Sequence, residues 1–191
     1  AAEHRYSMMP NYIYPERNIQ FEKTLVSTGT NYEGIHTMEN AAFEFENETW
    51  GKLLVIAFEF APRDEALDWA RQLIESDRFK NHTVIILTHS FLLNNGERIV
   101  NEGYKLTPRN WAQAVWDKLV YPSKNIKLVL CGHTGTPPQM NGSEKVDYHT
   151  TTACRVDPAA DGHKVVQMMF NSQSGDGSWN GNGVMKILIF Y

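Results

Sequence analysis

Leu53-Leu54-Val55-Ile56-Ala57-Phe58 is an unbroken apolar run, set between Gly51-Lys52 and Glu59. Short runs without polar alternation read as strands buried on both faces, the pattern of parallel sheets covered by helices. Thr83 to Leu87 and Ile126 to Cys131 have the same character. Helical spacing fills the intervals between them. Ala61-Pro62-Arg63-Asp64-Glu65 opens one helix, with proline in the first turn and acids where the macrodipole favours them. Ala66, Trp69, Ala70, Leu73 and Ile74 then recur at i, i+3, i+4, i+7 and i+8. A second helix is expected from Thr107-Pro108, with Thr107 as N-cap and Ala112, Val115, Trp116 and Leu119 as its apolar stripe. Strand, helix, strand, helix, strand in this order implies parallel pairing through right-handed crossovers.

Outside this centre the pattern changes. The first fifty residues are aromatic and polar, with turn signals at Met9-Pro10-Asn11, Tyr14-Pro15 and Thr28-Gly29-Thr30-Asn31. They read as a loop-rich lead-in with one short helix near Arg17 to Leu25 and a strand hint in Asn40 to Trp50. Towards the C-terminus, Thr150 to Val156, Lys164 to Phe170 and Val184 to Phe190 look like strands joined by Gly, Asn and Pro turns, hence antiparallel. Ser172 to Gly183 reads as a loop. The expectation is one α/β domain over residues 1–191, with a mixed sheet and a β-rich C-terminal end.

Composition excludes several function classes. The chain has 191 residues, 42% of them hydrophobic, which is incompatible with disorder along its whole length. Its net charge is −4 and its pI about 6.0, so no basic stripe exists to release counterions from nucleic acid. The longest apolar run, Leu53 to Phe58, is too short to span a bilayer. Ala1-Ala2-Glu3-His4-Arg5-Tyr6 lacks the charged-then-apolar order of a signal peptide. The first residue is not methionine, which suggests a chain that was processed or cut from a longer one, and localisation is unreadable. Cys131 and Cys154 lie in apolar or β-branched runs and read as buried free thiols, with one bridge as the alternative.

Two histidines share a structural address. His89 and His133 each follow a parallel-type strand directly, where open α/β sheets place their ligands. Either one alone reads as a strand cap bonded to a loop carbonyl. As a pair, with Gly132 and Gly135 allowing tight backbone turns, they read as ligands of one metal ion. Trp69, Trp111 and Trp116 read as core contacts, and Glu59 as a solvated or capping carboxylate. Asn171 and Gln173 suit loop hydrogen bonding better than substrate contact. Trp179 serves as a loop anchor or packs over a sugar or base. His36, His82 and His163 read as surface residues.

Val84-Ile85-Ile86-Leu87-Thr88-His89 and Leu128-Val129-Leu130-Cys131-Gly132-His133 resemble the last two signature blocks of the calcineurin-like metallophosphoesterases. Phe58 to Glu65 with Leu67-Asp68-Trp69-Ala70 is similar to the strand-to-helix segment of bacterial members. Trp116-Asp117-Lys118-Leu119-Val120, Asn125-Ile126-Lys127, Gln167 to Asn171, Gln173 and Gly181-Asn182-Gly183 extend the likeness over roughly residues 50 to 191. The resemblance implies a partial four-layer α/β/β/α sandwich and a phosphoester substrate. It also implies a binuclear centre of the iron, zinc or manganese type, with His89 and His133 both serving the second ion. Two ions suit that chemistry because they neutralise the phosphate, acidify a water and stabilise the leaving oxygen.

The sequence also departs from the family pattern. Gly135 stands where the family has a further histidine for the other ion. The blocks Asp-x-His, Gly-Asp-x-x-Asp and Gly-Asn-His-Asp/Glu do not occur before Lys52. Asp147-Tyr148-His149 follows no buried strand and reads as a chance match, and Ala2 to Tyr6 reads as a loose terminus, which leaves His4 outside the site. The resemblance therefore implies the C-terminal part of such a catalytic domain, with little phosphatase activity by itself. The alternative is a non-catalytic binding module on the same scaffold. Helices can shield only one sheet face, so self-association through the other face is expected.

Overall fold

The computed structural model describes residues 5, 7–134, 152–172 and 185–189. The expected apolar runs become β3 (Gly51–Ala57), β4 (Thr83–Leu87) and β5 (Ile126–Cys131). They are preceded by α1 (Ile19–Thr24), β1 (Leu25–Thr30) and β2 (His36–Asn47), and followed by β6 (Thr152–Pro158) and β7 (Lys164–Phe170). Between them lie α2 (Asp64–Glu75) and α3 (Ala112–Val115), the latter continuing as a π-helical turn over Trp116–Val120. The seven strands form one mixed sheet in the order β1-β2-β3-β4-β5-β7-β6. β3, β4, β5 and β7 pair in parallel, while the flanking pairs β1/β2, β2/β3 and β6/β7 are antiparallel. The α/β class and the mixed sheet are as the sequence implies.

The parallel strands present two apolar faces. Leu54, Ile56, Val84, Ile86 and Val129 point to the side where Ala66, Ala70 and Ile74 of α2 and Val115 and Leu119 pack, all in one core. On the other side Val55, Ile85, Leu128 and Val166 stand in register, followed by Ala57, Leu87, Leu130 and Met168. Ile85 and Leu128 are buried there, but Leu87 is 37% exposed and Val156, further along β6, is 50% exposed. Burial at a strand centre comes from neighbours in the sheet as well as from a covering layer, so this face is the less protected one.

Several expectations are corrected. Residues 25–47 are not a loop-rich lead-in: β1 and β2 add two strands to the sheet. The strand hint in Asn40 to Trp50 is met by β2, which starts earlier, at His36, and buries a polar residue, Asn40, with no exposure. Its Nδ2 donates to the Thr30 carbonyl at 3.3 Å and its Oδ1 accepts from the Glu59 amide at 3.1 Å. α2 crosses above β1, where a Cβ on Gly29 would come within 3.1 Å of the Trp69 ring, and Trp69 Nε1 donates to Ser27 Oγ.

The second helix starts at Ala112, not at Thr107, although its stripe of Ala112, Val115, Trp116 and Leu119 is buried as expected. The preceding residues are used for docking instead: Asn110 bonds Pro62 O through both its backbone and its side-chain amide and also donates to Asp64 Oδ1. At the other end, residues 185–189 form no ladder with any described strand, and Met185, Ile187 and Ile189 are exposed.

His82 is buried rather than superficial, 2.8 Å from Glu44 Oε1. Cys131 and Cys154 are both free; Cys154 is exposed, against expectation, and burial pushes the Cys131 thiol up to about 11. Arg5 is not part of a loose terminus, since its guanidinium donates to the Phe60 and Ala61 carbonyls at 2.9 Å. No described helix is long and apolar enough to cross a membrane.

Candidate functional site

The ladder between β4 and β5 runs past the strands proper. Thr88 N donates to Leu130 O and Gly132 N to His89 O, both at 3.0 Å, so the two histidine-bearing turns leave the sheet side by side. Gly132 fits closely at this point: an added Cβ would lie 3.2 Å from the Phe170 carbonyl and push it aside by a few tenths of an ångström. His133 adopts φ +65°, the left-handed region that turns the chain sharply. Asn171, just beyond β7, donates its side-chain amide to His133 O at 2.7 Å and fixes that turn. Of the two roles weighed for Asn171, the geometry supplies the structural one.

The ring centroids of His89 and His133 lie 4.4 Å apart with a tilt of 37°. Phe60, just past β3, packs edge-on against His89 at 5.1 Å, and also contacts His133, Tyr104 and Trp111. Trp111 is buried as expected, but in a small cluster with Ala61 and Leu106 beside the site and not in the main core. Packing removes water from part of the His89 ring, and this desolvation, reinforced by His133 and opposed by Glu102, holds His89 below the usual histidine range.

Sequence reasoning missed the residues of the β4–α3 connection. That segment folds back through a Leu92–Arg98 bridge and buries Phe91, Leu92 and Ile99. It brings Glu102 Oε2 to 3.5 Å from His133 Nε2 and the Tyr104 hydroxyl to the same distance from that nitrogen. Ser90 Oγ donates to Glu102 Oε1 at 2.5 Å. No periodicity or motif marks Glu102, because its position depends on how a long loop returns to the sheet.

Glu59 is the capping carboxylate, accepting from Arg63 N and Nε at 3.0 and 2.8 Å at the start of α2. With Arg5, Glu39 and Phe60 it lines a cavity of about 430 Å³ that shares Phe60 with the histidine cluster. Burial raises the Glu39 carboxyl above its ordinary value. His36 is exposed and bonded to Thr28 O, while His163 sits between Asp161 and Ile126 O; neither approaches the pair. His4, Gly135, Asp147, His149, Gln173 and Trp179 lie outside the described residues.

Two imidazoles at adjacent strand ends suit one borderline cation. They do not suffice for a binuclear centre, and no group of three or more His, Cys, Asp or Glu among the described residues stands in metal-holding geometry. No protein-family profile, curated protein or solved structure matches this chain.

Proposed function

We propose that this chain forms the part of a calcineurin-like metallophosphoesterase catalytic domain that holds the second ion of the pair, and that its substrate is a phosphoester. The observation that carries the reading is the convergence of His89 and His133, their rings 4.4 Å apart, at the ends of two neighbouring parallel strands. An ion held there would neutralise phosphate charge and acidify a water. The chain's own residues do the positioning. The two turns aim the imidazoles, Asn171 locks one turn, and Phe60, Tyr104 and Trp111 keep one flank dry. The cavity beyond Phe60 is lined by Arg5, Glu39 and Glu59, with Glu59 paired to Arg63. In the same reading, a second sheet would pack over the row Val55, Ile85, Leu128 and Val166 and complete a four-layer α/β/β/α sandwich.

The second reading, a binding module without catalysis, is favoured by the small number of donors beside the pair among the described residues. Equilibrium dialysis with Zn²⁺ or Mn²⁺, followed by binding of inorganic phosphate and turnover of an aryl phosphate, separates the two. The expected result is ion binding weakened at least ~10-fold by His89→Ala or His133→Ala, phosphate binding only with the ion present, and slow turnover. Ion binding untouched by either substitution overturns the metal reading. Ion binding with no phosphate affinity leaves the binding module.

A further inference from the structure

Glu102 links both histidine-bearing turns. One carboxylate oxygen faces His133 Nε2 at 3.5 Å, and the other accepts the hydroxyl of Ser90, the residue directly after His89. The Glu102 side chain is only 11% exposed, so its charge is held within the cluster rather than dissipated in water. A 3.5 Å contact is long for a hydrogen bond, but such contacts commonly shorten once a ligand is present. The Ser90 bond of 2.5 Å keeps the carboxylate from swinging away meanwhile. A histidine that binds a metal through one ring nitrogen generally donates the N–H of the other to a carboxylate or carbonyl, which fixes its tautomer. Here the nitrogen facing the carboxylate is Nε2, which leaves Nδ1 for the ion.

We propose that Glu102 is the positioning carboxylate of the histidine pair: it accepts the Nε2 proton of His133, holds that ring in the tautomer with a free Nδ1 lone pair, and couples the two turns through Ser90. This rests on the reading of His89 and His133 as ligands, and it requires no third donor. The Tyr104 hydroxyl, also 3.5 Å from Nε2, flanks the same nitrogen.

Long-range ¹H–¹⁵N correlation spectra of the histidine side chains, recorded on the intact chain at pH 8, test the assignment. The metal-free protein should show His133 protonated on Nε2, and the zinc-loaded protein should show zinc on Nδ1. Glu102→Ala should mix the two tautomers and weaken Zn²⁺ binding ~10–100-fold, with Glu102→Gln recovering part of the loss. Ser90→Ala, a milder change, should move both readouts in the same direction. His133 protonated on Nδ1 in the metal-free protein, or zinc on Nε2, overturns the proposal. So does unchanged affinity in a folded Glu102→Ala variant. If zinc does not bind the unaltered chain at all, the metal reading fails, while the metal-free tautomer still decides whether Glu102 orients His133.

Discussion

Asn171 reaches the His133 carbonyl from the end of a different strand, so the turn at His133 depends on a contact made across the sheet. Removing it with Asn171→Ala takes a hydrogen bond from the carbonyl of a residue held at φ +65°. The expected cost is about 1–2 kcal/mol, read as a lower urea midpoint with unchanged slope. Gly132→Ala should cost a similar amount, about 1–2 kcal/mol, because the new methyl would press on the Phe170 carbonyl at 3.2 Å. His89 gives a pH signature. Its folded pKa is lowered, chiefly by desolvation and then by His133, so the unfolded chain takes up a proton more readily than the native one. The His89 contribution to the stability of the metal-free protein should therefore be level above neutral pH and fall as pH drops below the ordinary histidine value of 6.5. Comparing urea titrations of the unaltered chain and His89→Gln across that range should show a shallower decline in the variant.

The connection between β4 and α3 is the element on which the site depends, and Arg98 anchors it. Its guanidinium lies 3.6 Å from the centroid of the Trp116 ring, donates to Gln167 Oε1 at 2.8 Å and meets Asp157 Oδ2 at 2.5 Å. Gln167 is fully buried and donates in turn to the same Asp157 oxygen. Arg98→Met keeps the aliphatic packing and takes the donor from the buried Gln167 Oε1, while Asp157 keeps Arg155 and Gln167 as partners. The expected loss is about 1–3 kcal/mol, the cost of an unsatisfied buried acceptor. Circular dichroism during denaturant unfolding measures it. The same variant should loosen the loop that carries Glu102, seen as faster amide hydrogen exchange over residues 99–104 than in the parent.

At the scale of the whole molecule the decisive feature is the asymmetry of the sheet. One face is sealed by α2 and α3, while the other leaves Leu87 and Val156 partly in water. Each Å² of apolar surface left wet forgoes about 25 cal/mol. Contact through this face is therefore expected between copies at micromolar concentration, with light scattering reporting a mass above 21.8 kDa. Leu87→Glu should shift the population towards monomer without lowering the thermal midpoint of the monomer by more than a degree or two. A monodisperse monomer in the unaltered protein would show instead that this face is covered from within the chain.

The sequence alone determined the middle of the fold and the pair of candidate ligands. Apolar runs without alternation demand burial on both faces, and a histidine at the end of each of two such runs must emerge at the same sheet edge once they pair in parallel. Those relations are local and periodic, which makes them legible. β1 and the start of β2 were not legible, although Ala42, Phe43 and Phe45 hint at the rest of β2, because Asn40 looks like a loop residue until Thr30 and Glu59 supply its partners. The buried position of His82 against Glu44 and the start of the second helix were likewise settled by partners distant in sequence. Glu102 is the clearest case. Thirteen positions separate it from His89 in a segment with no repeating pattern, and only the return of that loop over the sheet edge places a carboxylate beside His133. Burial periodicity is written into neighbouring residues, whereas the closure of a long loop depends on what the rest of the chain presents for it to bind.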